Sequence, residues 1–206
     1  MPDESPEARA DDIVETLYGI QVSDPYRWLE DADDEAVQAW ARAQDAAARA
    51  FLERLPGRPE VRRRLEQTLG GGYLGGSVPR SGRRFFTRRE PHHDQPALFC
   101  ADATGPRQLF DPAAGSEHGT TSLDWWQVSR DGELVCLGVS EHGSEDSSLR
   151  LLRVADATFL PEAISHCRLA AVDFEPSGAG LLYTRFPDPA SVPRGRSSIT
   201  ATSGAT

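Results

Sequence analysis

The sequence predicts an α+β protein in which N-terminal helices are followed by antiparallel β-propeller blades. Residues 34–55 are rich in alanine and place apolar residues at helical spacing, whereas after Gly72 short β-forming segments alternate with turn residues. Turn glycines recur at Gly82, Gly132 and Gly178, spaced 50 and 46 residues apart. A period of this length with several strands per repeat is typical of propeller blades.

An arm precedes the helices. Residues 1–33 show little periodicity but contain the dense motif DPYRWLED at 24–31. We expect this segment to be extended and to pack on another surface through Tyr18, Tyr26 and Trp28.

Two helices are expected next. Asp33 and Asp34 are N-cap candidates for the first helix, which Pro56-Gly57 ends. Pro59 suits the first turn of the second helix, and the glycines at 70–72 end it. The apolar stripes of the two helices consist of Val37, Trp40, Ala41, Ala48, Phe51 and Leu55, and of Val61, Leu65 and Leu69.

The remaining chain predicts antiparallel strands. Their segments are rich in β-forming residues and are bounded by clusters of glycine, proline, serine and aspartate. The predicted strands cover residues 83–90, 96–103, 125–129, 133–140, 148–155, 172–174 and 180–186.

The composition argues against several classes of function. The net charge of −10 does not suit nucleic-acid binding, since phosphate contacts need clustered cations. No apolar run approaches a membrane span, and we expect no secretory signal in the acidic start. Cys100, Cys136 and Cys167 are far apart in apolar surroundings, which favours buried thiols in a reducing cytoplasm over disulfides or a zinc site.

The sequence lacks the pattern of a serine nucleophile. A nucleophile elbow needs G-x-S-x-G, and the nearest match, residues 138–143, has one residue too many and precedes no helix. We therefore expect neither Ser140 nor His142 to be catalytic.

The tetrapeptide Ser-Glu-His-Gly occurs twice, at 116–119 and 140–143. These turns would place His118 and His142 near carboxylates, but the H-E-x-x-H pattern of a zinc site is absent. A metal hydrolase built on the two turns stays an alternative that a chelator would test.

Two further segments have the residue types of a site without its pattern. His92, His93 and Asp94 form a predicted loop tip, and the glycines at 70–72 and 75–76 lack the lysine and helix of a phosphate loop. The sequence thus predicts no catalytic, cofactor-binding or metal-binding residue, and no cofactor.

The chain resembles the amino-terminal region of the prolyl oligopeptidase family of serine peptidases. The resemblance runs from about residue 14 to residue 189. It is carried by YGIQVSDPYRWLED, FLERLPGRPEVRRRLEQTL, SGRRFFTRRE, QLFDP, WWQVSRDGELVCLGVSEHGSEDSSLRLLRV and LPEAISHCRLAAVDFEPSGAGLLYTRFPDP.

The resemblance implies that these residues are a fragment. Family members have an arm and helices that pack on an α/β-hydrolase domain, an inserted seven-bladed propeller, and then the serine, aspartate and histidine of the triad. Residues 1–70 would be the arm and helices, and residues 71–192 the first blades, about two and a half of the expected seven.

The resemblance also implies a parent enzyme that cleaves short peptides after proline, with the propeller restricting access to small substrates. Its partners would be such peptides and its own hydrolase domain. Without the triad, we expect this chain alone to be inactive. The alternative is a non-enzymatic, propeller-type protein-interaction module.

One position bears on substrate contact. In the family, the strand after the LPE-type segment can present an aromatic residue to the cavity between the domains. The matching residue is Leu169, which is not aromatic, so we expect a core leucine there.

The resemblance stops after Pro193. Residues 193–206 are small and polar, and we expect them to be disordered. One codon assignment of residues 197–206, read in a shifted frame, encodes QYHRHVWCH, which looks like the strand that the family has here, so we expect a frameshift. Because an unfinished ring leaves faces and strand edges bare, we expect the isolated chain to aggregate.

Overall fold

The computed structural model describes residues 6–114, 116, 119–178, 180–188, 191 and 200–205, and the chain divides into two compact units, residues 1–67 and 68–206. The helices are α1 (Glu35–Glu53) and α2 (Arg58–Leu69), and a 3-10 turn covers Arg27–Glu30. The strands are β1 (Val14–Leu17), β2 (Ile20–Ser23), β3 (Tyr73–Arg80), β4 (Arg83–Arg89), β5 (Ala97–Asp102), β6 (Gly105–Phe110), β7 (Ser122–Val128), β8 (Leu134–Ser140), β9 (Ser148–Arg153), β10 (Thr158–Ile164), β11 (Val172–Phe174), β12 (Gly180–Arg185) and β13 (Thr200–Ala205).

The arm of the first unit is held on α1 by polar and aromatic contacts. Trp28 meets Trp40 edge to face with ring centroids 6.0 Å apart, and its indole N–H donates to the Arg9 carbonyl at 2.8 Å. Strands β1 and β2 form a hairpin that the sequence patterns did not reveal. Trp28 therefore packs on α1, whereas Tyr18 is fully exposed and Tyr26 is half exposed.

Helix α1 begins at one of the two predicted caps, since the Asp34 side chain accepts a hydrogen bond from the Ala36 N–H at 2.7 Å. Neither helix buries a residue among those that the structure describes. Most residues of the predicted apolar stripes are exposed, including Phe51, Leu55, Val61, Leu65 and Leu69, whereas Val37 and Trp40 are half-buried.

The second unit consists of antiparallel meanders. Sheet I has the strand order β3-β4-β5-β6, sheet II has β10-β9-β8-β7, and sheet III has β11-β12-β13. Two complete four-stranded sheets and a third partial one correspond to the predicted two and a half blades. Among the described strands, no sheet closes on itself.

The predicted repeat of turn glycines is confirmed. Gly82, Gly132 and Gly178 lie in the first hairpin of sheets I, II and III, with φ angles of 76°, 74° and 75°. Each needs the left-handed conformation that glycine adopts without strain.

Sheets I and II enclose one core and sheets II and III enclose another. In the first, Phe85 and Leu98 of sheet I meet Val135 and Leu152 of sheet II. The second core joins sheet II to sheet III and Cys167, and its buried members are Cys136, Leu149, Leu151, Cys167, Phe174 and Leu181. Burial of both sheet faces is how a propeller blade gains its stability.

Polar contacts also join sheets I and II. The Arg83 guanidinium donates to the Gly132 carbonyl at 2.8 Å and pairs with Glu133 at 3.0 Å. The Ser81 hydroxyl donates to the Arg130 carbonyl at 3.3 Å. The first hairpins of the two sheets are thus tied at the same end of the stack.

The end of the chain differs from expectation in part. Residues 200–205 of the predicted disordered tail form β13, which pairs antiparallel with β12 along its whole length. Backbone pairing at an open strand edge needs no alternating side-chain pattern, so no local pattern predicted this strand. Residues 193–199 and 206 lie outside the described residues.

Candidate functional site

The serine nearest to a nucleophile pattern has a structural role. Ser140 is buried, and its hydroxyl donates to one carboxylate oxygen of Asp124 at 3.1 Å. The buried Ser147 hydroxyl donates to the other oxygen at 2.6 Å. Asp124 of β7 therefore anchors both ends of the loop between β8 and β9.

The two Ser-Glu-His-Gly turns form no metal centre in the part of the chain that the structure describes. No group of three or more histidine, cysteine, aspartate or glutamate side chains is close enough there to hold an ion. His142 occupies a left-handed turn with φ of 56°, and His118 lies outside the described residues.

The glycines at 70–72 are arranged for a cation rather than for phosphate. The Arg89 guanidinium donates to the carbonyls of Leu69 and Gly71 at 2.5 and 2.7 Å, and to the His93 carbonyl at 2.7 Å. The His92 N–H donates to the Gly70 carbonyl at 3.1 Å. The glycine segment and the 92–94 loop are therefore bound to each other, and carbonyl oxygens would repel an anion.

The meander topology separates two kinds of connection. Short hairpin turns between the first and second and between the third and fourth strands lie at one end of the sheets, which we call the hairpin end. The loops 90–96, 111–121, 141–147 and 165–171 lie at the other, the long-loop end. All histidines whose positions are described lie in these loops, namely His92, His93, His142 and His166.

Loops 141–147 and 165–171 are joined by three contacts. His166 Nδ1 lies 3.0 Å from an Asp146 carboxylate oxygen, and Arg168 pairs with Glu145 at 2.6 Å. Between these pairs, the Cys167 N–H donates to the Ser147 carbonyl at 2.8 Å. These contacts fix the second loop against sheet II.

The expectation of a core leucine at position 169 is wrong. Leu169 is 86% exposed and has a φ angle of 50°. The reason is that strand β11 begins only at Val172, so Leu169 lies at the tip of the loop rather than in a strand. Its two neighbours in sequence, Arg168 and Ala170, hold the turn through their contacts with Glu145 and Cys167.

The three cysteines are buried thiols. Cys136 and Cys167 share the core between sheets II and III, and Cys100 lies in the other core. Burial raises the pKa of all three, most strongly that of Cys136, because the thiolate would lose its hydration. They remain neutral and do not form a nucleophile.

A second repeat, in the last hairpins of the sheets, was not predicted from the sequence. Asp-Ala-Thr occurs at 102–104 and at 156–158, in the last hairpins of sheets I and II. The hydroxyls of Thr104 and Thr158 donate to Asp102 and Asp156 at 2.6 and 2.7 Å and lower the pKa of each carboxyl. The identical tripeptide, 54 residues apart, was the signal that would have paired these hairpins.

Helices followed by stacked antiparallel meanders define a β-propeller domain with an N-terminal helical unit. The family described as prolyl oligopeptidase, N-terminal β-propeller domain, matches residues 5–203. The chain belongs to this family.

Similar proteins and structures agree with the family. The chain is 28% identical over 185 residues to the prolyl endopeptidase of Elizabethkingia meningoseptica, covering 89% of this chain and 26% of that protein. It is 28% identical to prolyl oligopeptidase A of Galerina marginata, covering 93% of this chain and 30% of that protein. The chain thus spans between a quarter and a third of these relatives.

Solved structures show the same fold. One, from a structural and mechanistic study of two prolyl endopeptidases, has a TM-score of 0.80 and 30% identity, and the match covers 98% of this chain and 31% of that chain. Prolyl oligopeptidase B of Galerina marginata, bound to a 35-residue hydrolysis and macrocyclization substrate, has a TM-score of 0.74 at 18% identity. The match covers 100% of this chain and 32% of that chain.

None of the described helices is long and apolar enough to cross a bilayer.

Proposed function

We propose that this chain is the N-terminal part of a cytoplasmic, prolyl-oligopeptidase-type serine peptidase that cleaves short peptides after proline. In that protein the blades restrict access of substrates, and the helices of residues 1–67 dock on an α/β-hydrolase domain. The 206 residues alone are inactive, because the nucleophile, base and oxyanion donors belong to that domain. The observation that carries the proposal is the family match over residues 5–203.

The exposed apolar surface of the first unit supports the proposal that it docks on a hydrolase domain. Helices α1 and α2 form a groove with a volume of about 800 Å³ whose apolar lining includes Leu52, Leu55, Val61 and Leu65. An apolar groove of this size is typical of a surface that another domain covers. The apolar side chains of the β1–β2 hairpin, Leu17, Ile20 and Val22, are likewise exposed.

The hydrogen-bonded state of Ser140 supports inactivity of the chain alone. Its hydroxyl faces a carboxylate that also holds Ser147, and no histidine contacts it among the described residues. A serine in this arrangement lacks the base that would activate it as a nucleophile.

The test of activity uses the purified 206-residue chain, a chromogenic proline-containing peptide and a fluorophosphonate probe. We expect neither hydrolysis nor labelling, with the Elizabethkingia meningoseptica prolyl endopeptidase as the positive control. Hydrolysis that the probe abolishes would overturn the assignment of inactivity. Hydrolysis that a chelator abolishes would instead support the metal hydrolase.

The test of docking supplies the rest of the enzyme in trans. The Elizabethkingia meningoseptica protein, produced without the region that matches this chain, is expected to bind the 206-residue chain. Leu52→Asp and Leu65→Asp should weaken binding at least about tenfold, since a buried unpaired charge is costly. Arg49→Glu is the matched surface control, as Arg49 is exposed and pairs with Asp45 of the same helix.

A non-enzymatic interaction module is the second candidate, since one face of sheet I and one face of sheet III meet no other sheet among the described residues. Sequencing the DNA after codon 206 in all three frames separates the two. A continuing frame that encodes a serine, aspartate and histidine triad supports the peptidase. A stoichiometric partner recovered with a chain that no peptidase frame follows would support the module.

A further inference from the structure

Three consecutive glycines connect α2 to β3, and one side chain holds this connection. The Arg89 guanidinium donates to the Leu69 carbonyl at 2.5 Å and to the carbonyls of Gly71 and His93 at 2.7 Å each. Its Cζ atom lies 5.3 Å from the centroid of the Tyr73 ring, which covers one side of the guanidinium. We call these contacts the Arg89 latch.

The latch lies where sheet I begins. Arg89 is the last residue of β4 and the cross-strand partner of Tyr73, the first residue of β3. The loop that follows β4 adds a hydrogen bond of 3.1 Å from the His92 N–H to the Gly70 carbonyl. The end of one strand and the loop after it therefore fix the direction in which the chain enters the sheet.

Little opposes opening of the latch apart from these hydrogen bonds. The apolar residues at the two ends of the connection, Leu69 and Tyr73, are 60% and 48% exposed, so opening exposes little additional apolar surface. The acceptors of Arg89 are neutral carbonyls, so no ion pair is broken when water replaces them. Segments with few buried apolar contacts and accessible hydrogen bonds open locally, without unfolding of the rest of the structure.

The glycines of the connection differ in what the latched structure requires of them. A Cβ atom on Gly72 would be 2.6 Å from the Arg89 carbonyl oxygen and 3.1 Å from Cδ of Pro91, so a side chain is excluded there. No atom lies within 4 Å of the Cβ position of Gly71, and its φ angle is outside the left-handed region. The latched structure therefore accepts a side chain at position 71, and glycine there contributes only backbone freedom, which matters when the segment moves.

We propose that this connection is a hinge with a latched state, which the structure shows, and a released state. On release, the hydrogen bonds of Arg89 and the bond from His92 to Gly70 break, while β4 and β5 keep their pairing. The released state frees the end of α2 from sheet I. The inference rests on contacts within residues 69–93 and holds whether or not the chain belongs to a peptidase.

The test is hydrogen–deuterium exchange of the 206-residue chain at submicromolar concentration, measured by mass spectrometry. Residues 91 and 96 are prolines, so the loop between them reports through the amides of residues 92–95, and that of His92 is bonded to Gly70. We expect the wild-type loop to exchange through local opening, faster than β4 and β5. Arg89→Ala should accelerate exchange of the loop at least about tenfold, since it removes hydrogen bonds from a charged donor.

Two further measurements separate a hinge from a merely structural contact. Methylguanidinium should restore slow exchange in Arg89→Ala, because it fits the space that the side chain leaves among the carbonyls, and it should leave the wild type unchanged. Gly71→Ala should slow exchange of the loop about two- to fivefold, since a side chain that the latched state accepts restricts the released state.

Arg84→Ala is the matched control. It removes the same charge from the same strand, where Arg84 lies over the Phe86 ring, and it should leave exchange of the loop unchanged. Sodium chloride at equal ionic strength is the control for methylguanidinium, and restoration by methylguanidinium excludes misfolding as the cause of fast exchange.

Four results would each overturn the proposal. They are a wild-type loop that exchanges no faster than β4 and β5, an Arg89→Ala rate equal to that of the wild type, no effect of methylguanidinium on this variant, and a Gly71→Ala rate at or above that of the wild type. The activity assay has no bearing on any of them.

Discussion

The indole ring of Trp125 lies across the backbone of its cross-strand partner Gly138. A Cβ atom at position 138 would be 2.1 Å from Cε2 of that ring, far inside van der Waals contact. The neighbouring Trp126 faces the other way, with its ring 3.3 Å from the Cβ position of Gly76 in sheet I. The adjacent tryptophans of β7 therefore serve the two different cores of sheet II.

Gly138→Ala should destabilise the second unit by about 1–3 kcal/mol, because the added methyl group must displace the Trp125 ring into a packed core. Urea unfolding, monitored by tryptophan fluorescence at submicromolar protein concentration, would measure this change in the free energy of unfolding. Gly71→Ala is the matched control, since no atom lies within 4 Å of its Cβ position. Equal stability of the two variants would contradict the packing described for Trp125.

Asp124→Ala should cost about 1–3 kcal/mol, because the buried hydroxyls of Ser140 and Ser147 lose their acceptor. The same unfolding experiment measures it, with exposed Asp94→Ala as the control. Ser147→Ala should cost less in the Asp124→Ala background than alone, since the two groups share one hydrogen bond. Strict additivity would argue against the network.

Leu169→Ser should change the free energy of unfolding by less than about 0.5 kcal/mol, as expected for an exposed side chain. Leu152→Ala, in the core between sheets I and II, should cost about 2–5 kcal/mol. Urea unfolding of both variants tests the exposure of position 169. A large loss for Leu169→Ser would restore the core interpretation.

Because the thiols are buried, we expect the protein to lose stability at alkaline pH. Because folding raises the pKa of Cys136, its contribution to stability is complete below the unfolded thiol's pKa of about 8.5 and is lost as the pH rises further. Cys136→Ala should lessen the decline between pH 8 and pH 10 in urea unfolding. Ellman's reagent should label no thiol of the native chain at pH 8 and all three in denaturant, and rapid native labelling would contradict burial.

The strands that could be predicted from the sequence and those that could not differ in their position within the sheet. Among the central strands, β8 is a nearly continuous run of apolar residues and β9 contains three leucines, and both were predicted within a few residues of their bounds. Strands β3, β6 and β10 contain Pro79, Pro106 and Pro161, which break the pattern. All three are edge strands, where a missing N–H is tolerated.

Contacts between segments that are distant in the sequence could not be predicted from local patterns. The pairing of Asp124 with Ser147 depends on strand register and on the length of one loop, and the ion pair of Arg168 with Glu145 depends on how two loops meet. Leu169 was misassigned for the same reason, since a change in where β11 begins turns a core position into a loop tip. Local patterns indicate which segments are apolar and where turns lie, but they do not predict which distant side chains meet.

The Arg83 link has a consequence for how such a chain can diversify. It ties sheet I to the turn of sheet II at the hairpin end, so a change that moved Arg83 away from Gly132 and Glu133 would loosen the contact between the two sheets. At the long-loop end, loops of unequal length, 111–121 and 165–171, already connect one sheet to the next. Insertions, new specificities and recombination between relatives are therefore expected to accumulate at the long-loop end, away from Arg83 and its partners.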